Sequence, residues 1–312
     1  MLGGNQSALN PQGPLALEIA GLSWFLIIVL SAAWLVTMLL LGYALLQARR
    51  ERRASDAVSR NVVIAWGVAV PLVVLATVLV YSVGVGNAMS VTPFKGTMTV
   101  HITGKQWWWQ VRYMKGSDVV ADTANEIHLP VRTPVKLKLS STDVIHSFWA
   151  PNLTGKMDLI PGRTNEIWLR ADKPGVWRGQ CAEFCGAQHA HMGFEVIAED
   201  PKKFYECLQW QKQTAVQPVS DLAREGQQVF LQGPCVMCHS IRGTPAGASA
   251  GPDLTHIAGR RTLAAATLPN TRGHLGGWIV NAQGIKPGSH MPRINLDATQ
   301  LEPLLTYLES LR

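Results

Sequence analysis

Cys181, Cys185, His189 and Met192 all fall within one short run, CAEFCGAQHAHM. Thiolates and thioethers select soft or borderline ions such as copper, and imidazole suits copper equally well. A single loop carrying these donors can wrap around a small ion cluster, and the chemistry that fits is copper-based electron transfer. A second imidazole has to come from elsewhere, and His146 in TDVIHSFWAP is the strongest candidate. Downstream, Cys235-Val-Met-Cys238-His239 has the spacing of a c-type haem attachment. Cys235 and Cys238 would form the thioether bonds and His239 would be an axial nitrogen ligand. Met291, in PGSHMP, is the expected second axial ligand, because a Met and His pair raises the potential of c-type cytochromes. One chain therefore carries donors for two electron carriers.

Each assignment has a competitor. Outside the cytoplasm paired cysteines usually form disulfides, but a Cys181–Cys185 bridge would leave His189 and Met192 unexplained. His191 is a rival to His189. His290, His256 and His274 are rivals to Met291, whereas Met237 lies inside the attachment loop and cannot reach the far side of an iron. Cys207, in DPKKFYECLQWQKQ, reads most simply as a small buried apolar residue.

These donors must be held by folded elements. The 312 residues suffice for two or three compact units. A composition 47% hydrophobic and only 16% charged points to a part of the chain living in lipid. No charge occurs between Glu18 and Arg49, or between Arg60 and Lys95, and each stretch exceeds the roughly 20 apolar residues that cross a bilayer. The sequence thus predicts two transmembrane spans, at about residues 20–47 and 62–86. Their connector, 48–61, is rich in Arg and belongs on the cytoplasmic side. Both termini and everything after about residue 90 then face outward. A cleaved signal peptide fits poorly, since residues 1–18 contain no Lys or Arg. The net charge of +7 is spread along the chain, with no segment basic enough to argue for nucleic acid.

From Thr97 the pattern turns to short alternating runs, TMTVHIT, WWWQVRY, NEIHLPV, PVKLKLSS, TNEIWLR, VWRGQ and MGFEVIA, separated by Gly, Pro, Asn and Asp. These read as strands of an antiparallel sandwich or barrel. A helix after Asp200-Pro201 closes that unit and QTAVQPVS reads as a linker. From Ser220 the pattern is helical: SDLAREGQQVFLQG leads into the cysteine pair, and Leu301, Leu304, Leu305 and Leu308 share one face of the last helix. The expected division is a transmembrane hairpin over 1–94, a strand-rich domain over 95–215 and a helical haem domain over 216–312.

The run C-x-E-x-C-x-x-x-H-x-x-M, preceded by D-x-x-H-S-F with KMDLIPGR between them, resembles subunit II of cytochrome c oxidase over about residues 20–200. The resemblance implies a membrane-anchored multidomain chain: a two-helix hairpin, an all-β cupredoxin-like sandwich and an all-α class I cytochrome c domain. It further implies a binuclear copper centre, CuA. Cys181 and Cys185 would bridge the coppers, His146 and His189 would each bind one, and Met192 and the Glu183 carbonyl would be weaker ligands. The Glu183 carboxylate resembles a family residue that helps bind magnesium at the boundary with subunit I; otherwise it is a solvated loop carboxylate. Trp107, Trp108 and Trp109 resemble the aromatic stretch through which electrons reach the copper site, with Trp107 aligning best. Alternation puts Trp107 and Trp109 on one strand face, where core packing is the competing role. By the same resemblance the Pro252 carbonyl would accept a hydrogen bond from the other ring nitrogen of His239, fixing its orientation. One departure stands out: SRNVVIAWGVAVP, at the start of the second span, lacks the acid that many members carry there for proton uptake.

The function implied is that of the electron-accepting subunit of a haem-copper terminal oxidase. Electrons would pass from an external donor, such as a cytochrome c or a quinol-oxidising complex, through haem c to CuA. They would continue to subunit I, where oxygen is reduced to water with proton translocation. Expected partners are subunit I and the other oxidase subunits, and the expected place is the bacterial cytoplasmic (inner) membrane, with both redox domains on the periplasmic side. The alternatives are the CuA subunit of a nitric oxide reductase and a membrane-anchored copper assembly protein. A quinol oxidase subunit is excluded by Cys181 and Cys185.

Overall fold

The computed structural model describes residues 4–48, 56–90 and 98–312. The Arg-rich part of the expected cytoplasmic loop, 49–55, and the expected 94/95 boundary lie outside the described residues. Helix α1 (Pro14–Ala48) starts at a proline, where the missing N–H costs nothing. Helix α2 (Asp56–Ile64), a π-helical turn (Ala65–Ala69) and helix α3 (Val70–Ser90) follow as one rod. The π turn lies immediately ahead of Pro71, whose ring would clash with the carbonyl four residues back in a regular α-helix. The two apolar stretches, Pro14–Gln47 and Arg60–Asn87, contain windows of mean hydropathy 2.5 and 2.6, and those windows are not buried by protein. Lipid is the environment that suits them. Phe25 and Tyr81 meet edge to face, with centroids 4.9 Å apart, where α1 and α3 pack.

Ahead of α1, residues 4–12 lie against the strand-rich domain. The buried Asn152 is their anchor: its amide donates to the carbonyls of Gly4 and Asn10, and its Oδ1 accepts from the Ser7 N–H. The backbone N–H groups of Asp172 and Arg178 donate to the carbonyls of Gln12 and Asn5.

That domain is a sandwich of two five-stranded sheets. The strands are β1 (Met98–Lys105), β2 (Trp108–Lys115), β3 (Asp118–Ala124), β4 (Glu126–Pro130), β5 (Val135–Ser141), β6 (His146–Trp149), β7 (Met157–Leu159), β8 (Asn165–Leu169), β9 (Gly175–Cys181) and β10 (Gly193–Glu199). One sheet runs β3-β2-β1-β5-β8, the other β4-β10-β9-β6-β7. Alternation along β1 and β5 turns Val100, Ile102, Leu137 and Leu139 into a fully buried face. Trp109 reaches across to Phe148 and Phe194, which stack on each other 4.6 Å apart. The sequence pattern misses β3, β6 and β7. The first is an edge strand with an exposed start, and the other two hold only four and three residues, too short to display a period. Helix α4 (Pro201–Gln211) is capped by the Asp200 carboxylate, which accepts from the Lys202 N–H. Cys207 on α4 is half-buried among polar groups rather than in the apolar core.

The haem domain has α5 (Asp221–Gln232), a 3₁₀ turn over Pro234–Met237, a small hairpin of β11 (Thr262–Leu263) and β12 (Leu268–Pro269), α6 (Arg272–Val280), α7 (Ala282–Ile285) and α8 (Ala298–Ser310). Ser220 caps α5, and Asp297 with Gln300 forms a capping box on α8. The first and last helices cross at Gly226, where a Cβ would lie 2.0 Å from the Pro303 carbonyl oxygen, so only glycine permits the approach. Phe230, Leu304, Leu305, Tyr307 and Leu308 fill the crossing. Helix α6 is hidden in the sequence because three glycines dilute its propensity and its apolar period.

Candidate metal centre and haem site

The copper-type donors converge at one end of the sandwich. Cys181 ends β9, His146 begins β6 beside it, and the segment from Ala182 to Met192 returns to β10, bringing Cys185, His189 and Met192 over the strand ends. The Sγ atoms of Cys181 and Cys185 are 3.8 Å apart. A disulfide would need about 2.05 Å, and both thiols are free. His146 Nδ1 lies 3.9 Å from Cys181 Sγ and His189 Nδ1 lies 3.6 Å from Cys185 Sγ, so each sulfur has its own imidazole. Met192 Sδ is 3.8 Å from Cys185 Sγ, and the Glu183 carbonyl oxygen 3.2 Å from Cys181 Sγ. The donor set is thus two thiols, two imidazoles, a thioether and a carbonyl around one point. It fits a soft, thiolate-bridged metal pair and would suit a hard cation poorly. The hydrogen bond shared with Cys185 holds the Cys181 thiol well below the ordinary range, and the thiol protons are what bound metal would replace.

Neighbouring side chains and one glycine hold these donors in place. Asp143 Oδ1 is 2.8 Å from His146 Nε2, leaving Nδ1 to face the sulfurs. Burial works against the Asp143 charge, but hydrogen bonds from His146 and from the N–H groups of Gln106 and Val144 bring its pKa down to about 2. Gly104 lies under the His146 ring, where a Cβ would stand 2.8 Å from Cδ2. Trp107 Nε1 and Gln106 Nε2 both donate to the Cys185 carbonyl, at 3.0 and 2.8 Å. Trp109 Nε1 donates to the Met192 carbonyl at 3.3 Å, so Trp109 is core and also tethers the loop. His191, the rival imidazole, is exposed and pairs with Gln188. The Glu183 carboxylate and the Phe184 ring are exposed on the same rim.

In the haem domain, Cys235 lies within the 3₁₀ turn and Cys238 directly after it, and His239 Nδ1 is 2.8 Å from the Pro252 carbonyl oxygen, which leaves Nε2 for an iron. Cys235 and Met291 pack against the same apolar cluster, and Gln283 donates to the Met291 carbonyl at 2.6 Å. The donors fit a covalently attached haem with His and Met ligation. Two rivals are otherwise engaged, His256 against the tilted Trp210 ring and the Gln213 carbonyl and His274 with Thr271, while Met237 is 75% exposed. His290 lies with its ring centroid 5.4 Å from that of Trp107.

That ring contact belongs to a large polar interface between the two redox domains. Ala264, Ala265 and Ala266 all have φ between 53° and 58°, a left-handed turn that L-residues resist by roughly 1–2 kcal/mol each. Their carbonyls accept from Lys286 Nζ, from the Gly193 N–H and from Arg178 Nη1. Lys286, only 2% exposed, also donates to the carbonyls of Trp107 and His191. Burial pushes its pKa down to about 8. Gln188 donates to the Pro287 carbonyl, Lys105 to that of Ser249, and Arg261 pairs with Glu195. Nothing in the sequence pattern marked Lys286, because its partners are backbone groups distant in the chain.

Comparison with known proteins gives the same two units. Residues 98–199 match the family model for the periplasmic domain of cytochrome c oxidase subunit II, and residues 223–312 match that for cytochrome c. Cytochrome c oxidase subunit 2 of Alkalihalophilus pseudofirmus is 34% identical, covering 99% of this chain and 91% of its own. That of Bacillus subtilis is 26% identical, covering 98% and 92%. The crystal structure of the periplasmic domain of subunit II from Bradyrhizobium japonicum is 32% identical over 38% of this chain and 95% of its own, with a TM-score of 0.36. Two apolar helices, a cupredoxin-like sandwich with converging thiols and imidazoles, a C-x-x-C-H domain and a full-length relative at this identity lead to one assignment: the chain belongs to the cytochrome c oxidase subunit II family, as a member carrying its own cytochrome c domain.

Proposed function

We propose that this subunit accepts electrons from an external donor on its haem domain, passes them to CuA and delivers them to subunit I, where oxygen is reduced to water with proton translocation. The observation that carries this reading is the contact between the two redox domains at Trp107. Its indole touches the ring of His290, the neighbour of Met291, and donates to the carbonyl of Cys185. Haem c and CuA supply reversible one-electron chemistry; the protein fixes their spacing and surroundings. His146, Cys181, Cys185, His189, Met192 and the Glu183 carbonyl would hold the coppers, and Cys235, Cys238, His239 and Met291 the haem. Trp107 is 9% exposed beneath the haem domain, so in this arrangement its electrons come from that domain and not from a soluble protein docking on it. The exposed Val144, Ile145 and Phe184 beside the copper donors form an apolar rim suited to subunit I, with the Glu183 carboxylate placed to share a magnesium ion there.

The topology follows the same reading. Residues 4–12 are bonded to the sandwich through Asn152, so the N-terminus and both redox domains share one side. Two spans then form a hairpin whose Arg-rich connector is cytoplasmic. We place the domain boundaries near residues 94 and 215.

Oxygen uptake by the purified oxidase, with nitric oxide offered as a rival substrate, tests the assignment. Rapid oxygen consumption with reduced donor is expected; turnover of nitric oxide with none of oxygen would refute it. Met291→Ala is expected to lower the haem midpoint potential while leaving the haem attached, because the thioether favours the reduced iron. An unchanged redox titration would move the axial ligand to another residue.

A further inference from the structure

Among the described residues two groups of His, Cys and acidic side chains converge tightly enough to share an ion. One is His146, Cys181 and Cys185; the other is His128, Glu199 and Cys207, whose ligand atoms lie within 4.8 Å of one another. We propose that His128, Glu199 and Cys207 form a second metal site, for a single borderline divalent cation of the Zn²⁺ class. The site is separate from the copper donors. Glu199 closes β10 six residues after Gly193, about 20 Å along the strand at roughly 3.3 Å per residue.

Three elements supply the donors. His128 projects from β4, Glu199 comes from the end of the adjacent β10, and Cys207 comes from α4, which packs over both strands. One nitrogen, His128 Nδ1, faces both partners, with Glu199 Oε1 at 2.6 Å and Cys207 Sγ at 3.7 Å. Zinc binds nitrogen and oxygen at about 2.0–2.1 Å and sulfur at about 2.3 Å, so tetrahedral neighbours lie roughly 3.3–3.6 Å apart. The nitrogen–sulfur separation already suits this. The carboxylate needs to withdraw by a little over half an ångström, and its partial exposure lets it do so.

The far side of the ring has what a ligating histidine needs. Nε2 faces the buried Glu126 carboxylate at 3.9 Å, and an outer carboxylate of this kind orients the ring and strengthens its binding. Glu126 is itself fixed from the haem domain, where the N–H groups of Arg261 and Thr262 donate to its Oε1 at 2.6 and 3.3 Å. Sulfur, nitrogen and oxygen on one corner match zinc and suit poorly the hard cations that demand oxygen alone. Bound there, an ion would tie α4, which leads into the linker, to the strands beneath it.

The test uses the full chain with haem attached and copper loaded, incubated with ZnCl₂, freed of excess metal and analysed for elements. One zinc per chain is expected beyond the copper, lost in Cys207→Ser and in His128→Gln while the copper and haem spectra persist as a check of folding. Glu126→Gln is expected to weaken zinc binding by about 10–100-fold. Titration of the unaltered chain with CoCl₂ gives an independent reading: a thiolate-to-cobalt absorption band that saturates at one equivalent. No retained zinc, no such band, or zinc retained equally in Cys207→Ser would overturn the proposal.

Discussion

Cys185→Ser is expected to abolish the CuA absorption and with it oxygen consumption driven through the haem domain, while the haem stays covalently attached. Cys185 sits among three other donors of the centre: its sulfur lies 3.8 Å from Cys181, 3.6 Å from His189 and 3.8 Å from Met192. Serine keeps the volume, but its hydroxyl remains protonated and hard where a soft thiolate is required. Removal of a bridging donor leaves His189 without its sulfur neighbour, and delocalisation across the pair is lost. Optical and electron paramagnetic resonance spectra of the reconstituted variant are the measurement. Persistence of a mixed-valence copper signal would refute the ligand assignment.

Lys286→Met is expected to slow electron transfer between the two centres of the chain by at least about tenfold, with the copper and haem spectra unchanged. The substitution nearly conserves volume but leaves the carbonyls of Trp107, His191 and Ala264 without their shared donor. A buried acceptor left unpaired costs about 1–3 kcal/mol, and every 1.4 kcal/mol is a factor of ten in the docked population. The left-handed turn at Ala264–Ala266 adds strain once its first contact is gone. Flash reduction of the haem, followed by the appearance of reduced copper, reports the rate. An internal rate equal to that of the unaltered chain would show that Lys286 does not hold the domains together.

The effect depends on tethering as well as contact. A linked haem domain returns to the copper domain at high effective concentration, so loosening the interface lowers the docked fraction without dissociating the partner. The linker is itself anchored, with the Ala215 N–H donating to the Arg242 carbonyl.

Much of this molecule could be read from local pattern. The two long apolar helices follow from charge-free runs of a length that can cross a bilayer. The candidate haem-attachment motif and four of the proposed copper donors were legible in local sequence, because Cys181, Cys185, His189 and Met192 lie within one loop's reach. Even His146 was identifiable from its motif. Helix α6 and the strands β3, β6 and β7 were not, being too short, too exposed or too rich in glycine for a period to emerge.

What sequence by itself determined, then, was the inventory of donors and the class of element carrying each, since ligand chemistry and hydrophobic period are properties of neighbouring residues. Tertiary structure alone decided how they meet. It put Asp143 behind His146, the ring of His290 on Trp107, and Lys286 among carbonyls of two domains. It also turned Cys207, expected to be apolar filler, toward His128 and Glu199. These pairs are separated by between 3 and 183 residues of chain, and backbone carbonyls carry no side-chain identity. Only the closing of the sandwich and the docking of the haem domain create them.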